Sequence, residues 1–165
     1  MMWAGVAVLA FVTLQRLAEL LLSQRNTKRL LARGAYEAAP EHYPFLVLLH
    51  ASWIAVLWFL GPGPPIEILP LIIFALLQLG RAWVIATLGD RWTTRIIILP
   101  GAPLVTSGPY RWVNHPNYWI VIGEFAVLPL VFGLPMIALI FSLLNAAMLY
   151  VRIRAENQAL EMLRQ

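Results

Sequence analysis

Apolar runs separated by polar breaks organise the chain. The first, Trp3 to Leu22, spans twenty residues, and at about 1.5 Å per residue it reaches about 30 Å, the thickness of a bilayer's hydrocarbon core. Tyr43 to Leu60 and Ile66 to Leu88 are the second and third runs, with Pro70 in the first turns of the third, where proline costs least. Asn117 to Phe132 and Pro135 to Val151 are the fourth and fifth, joined only by Gly-Leu-Pro. A connection that short forces an antiparallel hairpin, and the marginal lengths of the two runs predict tight packing. The pattern therefore predicts an all-α, polytopic integral membrane protein of five transmembrane helices ending in a helical hairpin. Residues 1–165 form a single domain, with N-terminal spans over 1–80 and the chemistry over 81–165.

The breaks carry their own signals. Gly34 is placed to stop a helix that continues past Leu22 through SQRNTKRLLAR. The loop 34–44 holds Pro40, His42 and Pro44, and His42 reads as a surface histidine. Gly61 to Pro65, GPGPP, is a turn that no helix crosses. Gly89 to Asn114 is the long polar loop. Its segment RWTTRIIILP has a strand-like bias but is too short and isolated to predict a sheet. Beyond Val151 the fifth helix is expected to continue as RIRAENQALEMLRQ. The start, MMWAGVAVLA, has no basic leader or small-residue cleavage site and reads as a retained first helix.

Composition sharpens this picture. The chain is 61% hydrophobic and 12% charged, far below the charge of an average soluble domain. It has no cysteine, which excludes disulfides, thiolate metal sites and cysteine nucleophiles; no metal site is expected. Of twelve Lys and Arg, four fall in residues 23–42, three in 89–114 and three in the C-terminal tail, while Arg16 and Arg81 lie within spans. All loop cations thus share one side. By the positive-inside rule the N-terminus is outside, and the long loop and C-terminus are cytoplasmic, in an inner-membrane protein. The basic balance is a topology effect that requires no nucleic acid. Arg25, Lys28, Arg29 and Arg33 either meet anionic membrane lipids or serve as the topology signal alone.

Several polar residues interrupt the apolar runs. Arg16 and Glu19 are three apart, as are Gln78 and Arg81. The first pair either snorkels at a helix end or turns into the bundle, because charges facing lipid are costly. His50 lies alone in the second run and reads as bonded to a neighbouring helix. In the fifth helix Asn145, Arg152 and Glu156 are seven and four apart, which puts them within about 40° of one another on one face. The short hairpin then brings His115 and Tyr118, at the start of the fourth helix, opposite Arg152 and Glu156. Such a set suits a zwitterionic cofactor: Arg forks onto a carboxylate, Glu meets an ammonium or hydroxyls, and an aromatic sits beside a cation. Spacing alone equally allows a helix start at His115-Pro116 and a surface ion pair between Arg152 and Glu156.

The string GPYRWVNHPNY, followed by an apolar hairpin and then RIRAEN, resembles the isoprenylcysteine carboxyl methyltransferase family of integral membrane enzymes. The likeness runs from about Arg81 to Leu160 and looks strongest toward a bacterial branch in which the acceptor can be an alkylpyrone. The resemblance implies an S-adenosylmethionine-dependent O-methyltransferase with a cytoplasm-facing cofactor loop. Its acceptor would be a lipophilic or prenylated substrate, either a prenylcysteine-type carboxylate or an alkylpyrone-type hydroxyl, entering sideways from the bilayer. Carried over residue by residue, it implies that His115, Tyr118 and Glu156 bind the cofactor, with Tyr110, Pro116 and Asn157 in support. Arg152 or Arg154 would hold the cofactor carboxylate or orient the acceptor. Asn114 stands where many relatives have Arg, and Asn157 where many have a second Glu. Glu124, buried in the fourth run, would act as a base toward a hydroxyl acceptor or pair with Arg16 or Arg81. Two other classes stand beside this one. An NADPH-dependent membrane reductase would bind that nucleotide, and a membrane scaffold or transporter subunit would bind no cofactor at all.

Overall fold

The computed structural model describes residues 2–63 and 65–162. Five helices dominate it: α1 (Met2–Ala32), α2 (Tyr43–Leu60), α3 (Ile68–Leu88), α4 (Pro116–Val131) and α5 (Pro135–Met162). Four of them are long and apolar enough to cross a membrane, and α4, with 16 residues, rises only about 24 Å. The protein is all-α and polytopic, an integral membrane protein. Pro64 of the GPGPP turn, Met1, and residues 163–165 of the tail, with Arg164, lie outside the described residues.

The short α4 is the centre of the bundle, between α3 and α5. Its Val121, Phe125, Leu128 and Val131 join Leu9, Trp53, Leu57 and Phe74 in one core, where Trp53 stacks on Phe125 at 4.3 Å between centroids. Protein covers most of this helix, with Trp119 and Ile122 left exposed, so its length need not match the bilayer. Small residues allow the close approach: a methyl on Gly123 would meet Leu77 carbons at 2.9 Å.

The hairpin turn follows from its sequence. Gly133 takes φ +67°; its N–H donates to Leu130 O and that of Leu134 to Pro129 O, both at 3.0 Å. This satisfies the last carbonyls of α4, and Pro135 opens α5. Gly34, at φ +91°, ends α1 the same way, with Ala35 N–H on Leu30 O at 3.1 Å. The last ten residues of α1 stand beyond its apolar run and fasten the long loop. Buried Asn26 donates from Nδ2 to Gly89 O at 3.1 Å and Trp92 O at 2.8 Å. Ser23 Oγ receives Thr94 N–H at 2.8 Å.

Three expectations change. RWTTRIIILP does pair: β2 (Ile97–Ile98) lies antiparallel to β1 (Tyr36–Glu37), with Tyr36 opposite Ile98. Its partner comes from a distant loop, which no local pattern reveals. Arg95 secures the pair, reaching Glu37 at 2.8 Å and lying 4.0 Å over the Tyr43 ring. His42 is buried, not on the surface, because the turn that holds it packs beneath α2. His50 Nδ1 meets Leu46 O of its own helix at 2.9 Å instead of a neighbouring helix.

The intramembrane charges form one network. Arg81 meets Glu124 through both Nε, at 2.9 Å to Oε1, and NH2 to Oε2. Arg16 reaches the same Oε2 at 2.8 Å, and Gln78 Nε2 donates to Oε1 at 2.8 Å. Glu19 accepts from Arg16 at 2.7 Å and from Arg81 at 3.2 Å. Two cations and two anions from three helices thus cancel in the core. That balance is how a low-dielectric interior tolerates charge.

Candidate functional site

Pro116 sets the start of α4, its locked φ suiting the first helical position. His115 therefore sits at the lip and Tyr118 in the first turn, with Tyr118 N–H donating to His115 O at 3.0 Å. Gly108, at φ +56°, begins a 3-10 turn, Gly108–Arg111, that seats Tyr110 beside them. Its missing Cβ lets this turn press on Thr87 of α3.

Arg152 and Glu156 approach from α5, one turn apart. They do not pair with each other; the Tyr118 hydroxyl lies between them. It donates to Glu156 Oε2 at 2.5 Å and accepts from Arg152 Nε at 3.0 Å. The His115 ring stacks on Tyr118 at 5.1 Å and 16°, with Nδ1 at 3.9 Å from Glu156 Oε2. Arg152 is buried, while His115 and Glu156 are half-exposed. Burial, with the Glu156 charge adding to it, pushes the Tyr110 phenol up to about 12, so it stays a hydrogen-bond donor at neutral pH.

These residues wall a cavity of about 700 Å³ between α4, α5 and the long loop. Tyr110, Asn114, His115, Tyr118, Arg152, Glu156 and Asn157 all line it, so most of the expected set is brought together. Pro116, also expected in support, is buried and not in the lining. Arg154 is not brought in: it points off the stripe and lies 4.9 Å over the Tyr150 ring, since two residues rotate about 200° around a helix. Glu124 is likewise absent from the lining, held in the ion network. Asn145, buried lower on the stripe, is not in the lining either.

Sequence reasoning missed Asn117, Arg91 and Thr93, which also line the cavity. Asn117 stood inside the NHPNY motif, and its Oδ1 is buried without a hydrogen-bond partner. A buried acceptor left unpaired is costly, so it marks a place for a ligand donor. Arg91 holds the loop instead, donating to Pro103 O at 2.7 Å.

A second cavity, about 400 Å³ and mainly apolar, lies between α1 and α2. The two cavities share Trp92, Thr93, Asn117, Tyr118 and Arg152 as lining. Both volumes suit small-molecule sites. A more polar cavity and a mainly apolar one therefore meet at the Tyr118–Arg152 pair.

Comparison with known proteins adds to this geometry. The sequence profile of the Isoprenylcysteine carboxyl methyltransferase (ICMT) family matches residues 69–162. The chain is 36% identical to an uncharacterized protein, YpbQ, of Bacillus subtilis (strain 168), over 98% of this chain and 97% of that one. It is 28% identical to an uncharacterized protein of Haemophilus influenzae over 88% of each. No solved structure matches it.

Proposed function

Because the chain belongs to the isoprenylcysteine carboxyl methyltransferase family of membrane methyltransferases, we propose that it is an S-adenosylmethionine-dependent O-methyltransferase acting on a lipophilic acceptor. The observation that carries this reading is the Tyr118 hydroxyl, bonded to Arg152 and Glu156 where the two cavities meet.

The residues present fit that cofactor. Arg152 offers a guanidinium to its carboxylate. Glu156 and the unpartnered Asn117 Oδ1 offer acceptors to its ammonium and hydroxyls. The stacked His115–Tyr118 faces suit its cationic sulfur. Tyr110, still protonated, offers a further donor in the same wall. When bound, S-adenosylmethionine supplies an electrophilic methyl whose S–C bond breaks as an O–C bond forms. The protein's task is alignment and exclusion of water more than acid–base chemistry. A carboxylate acceptor arrives ionised and needs no base, whereas a hydroxyl acceptor gives up one proton to water before the O–C bond forms. The acceptor enters the second cavity from the bilayer, and its oxygen reaches the junction at Tyr118 and Arg152. Prenylcysteine-type carboxylates and alkylpyrone-type hydroxyls are the two acceptor chemistries that the reading covers. The charge pattern supports a cytoplasmic site with the N-terminus outside.

Calorimetry on the purified protein tests the reading. S-adenosylhomocysteine is expected to bind, and His115→Ala and Glu156→Ala to weaken it at least about tenfold each. Unchanged affinity in both variants overturns the site. Binding of NADPH in place of S-adenosylhomocysteine overturns the reaction. Mass spectrometry of membrane extracts incubated with methyl-labelled cofactor identifies the acceptor.

A further inference from the structure

We propose that Trp58, tied to Thr13, sets the length of hydrocarbon tail this protein accepts. The inference rests on the reading above, in which a lipophilic acceptor occupies the second cavity. α1 and α2 run antiparallel but are not evenly spaced. At the end remote from the cofactor cavity they touch: a methyl on Gly5 would lie 3.4 Å from Gly61 O, and one on Gly61 would lie 3.3 Å from Leu9 Cδ1. Toward the other end they part, and the second cavity fills the gap.

The α2 wall of this gap owes its room to Val47, Ala51 and Ala55, short side chains one turn apart. The run of short side chains ends at Trp58. Its Nε1 donates to Thr13 Oγ1 at 2.9 Å, and Thr13 Oγ1 in turn donates to Leu9 O at 2.7 Å. The indole, itself exposed, is thereby tied across both helices at the far end of the cavity. From Tyr43 at the open end to Trp58 the cavity follows about 22 Å of helix.

The lining says what fits. Arg16, Glu19 and Arg81 reach the cavity, but all three belong to the neutral network with Glu124 and leave no charge free for a ligand. His50 Nδ1 is engaged by Leu46 O. The rest is mainly apolar, and Ala51 and Ala55 are exposed on the lipid-facing side. At the open end Arg152 and Tyr118 belong to both cavities. One uncharged hydrocarbon chain with an anionic or acidic head matches this order. The head lies at Tyr118 and Arg152, the tail runs past Ala55 and Ala51, and its terminal methyl meets the Trp58 indole.

The test is a chain-length series. Purified protein is given labelled S-adenosylmethionine and either N-acetyl-S-alkylcysteines or alkyl-substituted hydroxypyranones, with alkyl groups from octyl to eicosyl. Methylation is expected to fall about tenfold or more within one or two methylenes beyond a limit. Trp58→Ala moves that limit to longer chains, and Ala51→Trp moves it to shorter ones. Retained binding of S-adenosylhomocysteine shows that each variant is folded, and Ala51→Trp tests the same groove should Trp58→Ala not fold. The same limit in wild type and folded variants overturns the inference. Diazirine-bearing alkyl chains of the same lengths separate this result from failure of the methyl-transfer reading. Labelling of the cleft with a limit that Trp58→Ala extends upholds the inference even where no acceptor is methylated. Labelling without such a limit overturns it.

Discussion

Replacing Glu124 by Leu tests whether the buried charges act as one neutral unit. The carboxylate is bonded to Arg81, Arg16 and Gln78, so its loss leaves Arg16 and Arg81 sharing Glu19, with one positive charge uncompensated inside the bundle. Breaking a buried pair in this way costs about 3–5 kcal/mol. At about 2–4 °C per kcal/mol for a chain of this size, the apparent unfolding midpoint is expected to fall by about 6–20 °C. Arg81→Met leaves the opposite excess and falls comparably. The double variant removes one charge of each sign and leaves the Arg16–Glu19 pair at 2.7 Å. It is expected to recover about 1–3 kcal/mol of the summed loss. The assay is thermal unfolding in detergent followed by tryptophan fluorescence, with binding of S-adenosylhomocysteine as a check on the native state. A double variant that falls by the full sum refutes the argument from charge balance.

Two other substitutions probe the site and its support. Tyr118→Phe keeps the stacked ring but removes the hydroxyl between Arg152 and Glu156. Affinity for S-adenosylhomocysteine is expected to fall by about 1.5–3 kcal/mol, or about ten- to hundredfold, by calorimetry, and equal affinity would show that the hydroxyl plays no part in holding it. Gly108→Ala adds a methyl that overlaps Thr87 at a positive φ, which is expected to cost about 1–3 kcal/mol in thermal unfolding. Adding Thr87→Ala removes the two atoms nearer than 3.0 Å, leaving a Cβ at 3.3 Å and chiefly the backbone strain of about 1–2 kcal/mol. No recovery in the double variant would mean that the contact with Thr87 is not what demands glycine.

Much of this architecture is legible along the chain because it is local. Run lengths place α1, α2, α3 and α5, while Gly34 and Gly133 mark helix ends through a backbone conformation that few other residues adopt. The three residues of Gly-Leu-Pro and the helical period together bring His115 and Tyr118 toward Arg152 and Glu156. What stays hidden depends on how each helix is rotated and on partners far away in the chain. Arg16 turns inward because Glu124, more than a hundred residues on, stands ready to receive it. Ile97 and Ile98 become a strand only because Tyr36 and Glu37 lie alongside. Arg152 enters the cavity and Arg154 leaves it by the angle of α5 alone.

The sequence by itself determined that this chain crosses a membrane and that a His, Tyr, Arg and Glu set meets at one end of a hairpin. Apolar length and turn chemistry suffice for both. Only the tertiary structure decided that the N-terminal half builds the site too. The tail of α1 fastens the loop through Asn26, and the widening gap between α1 and α2 forms the second cavity. Interhelical spacing is set by side-chain packing across the bundle, a property of pairs of distant residues that no run of neighbours encodes.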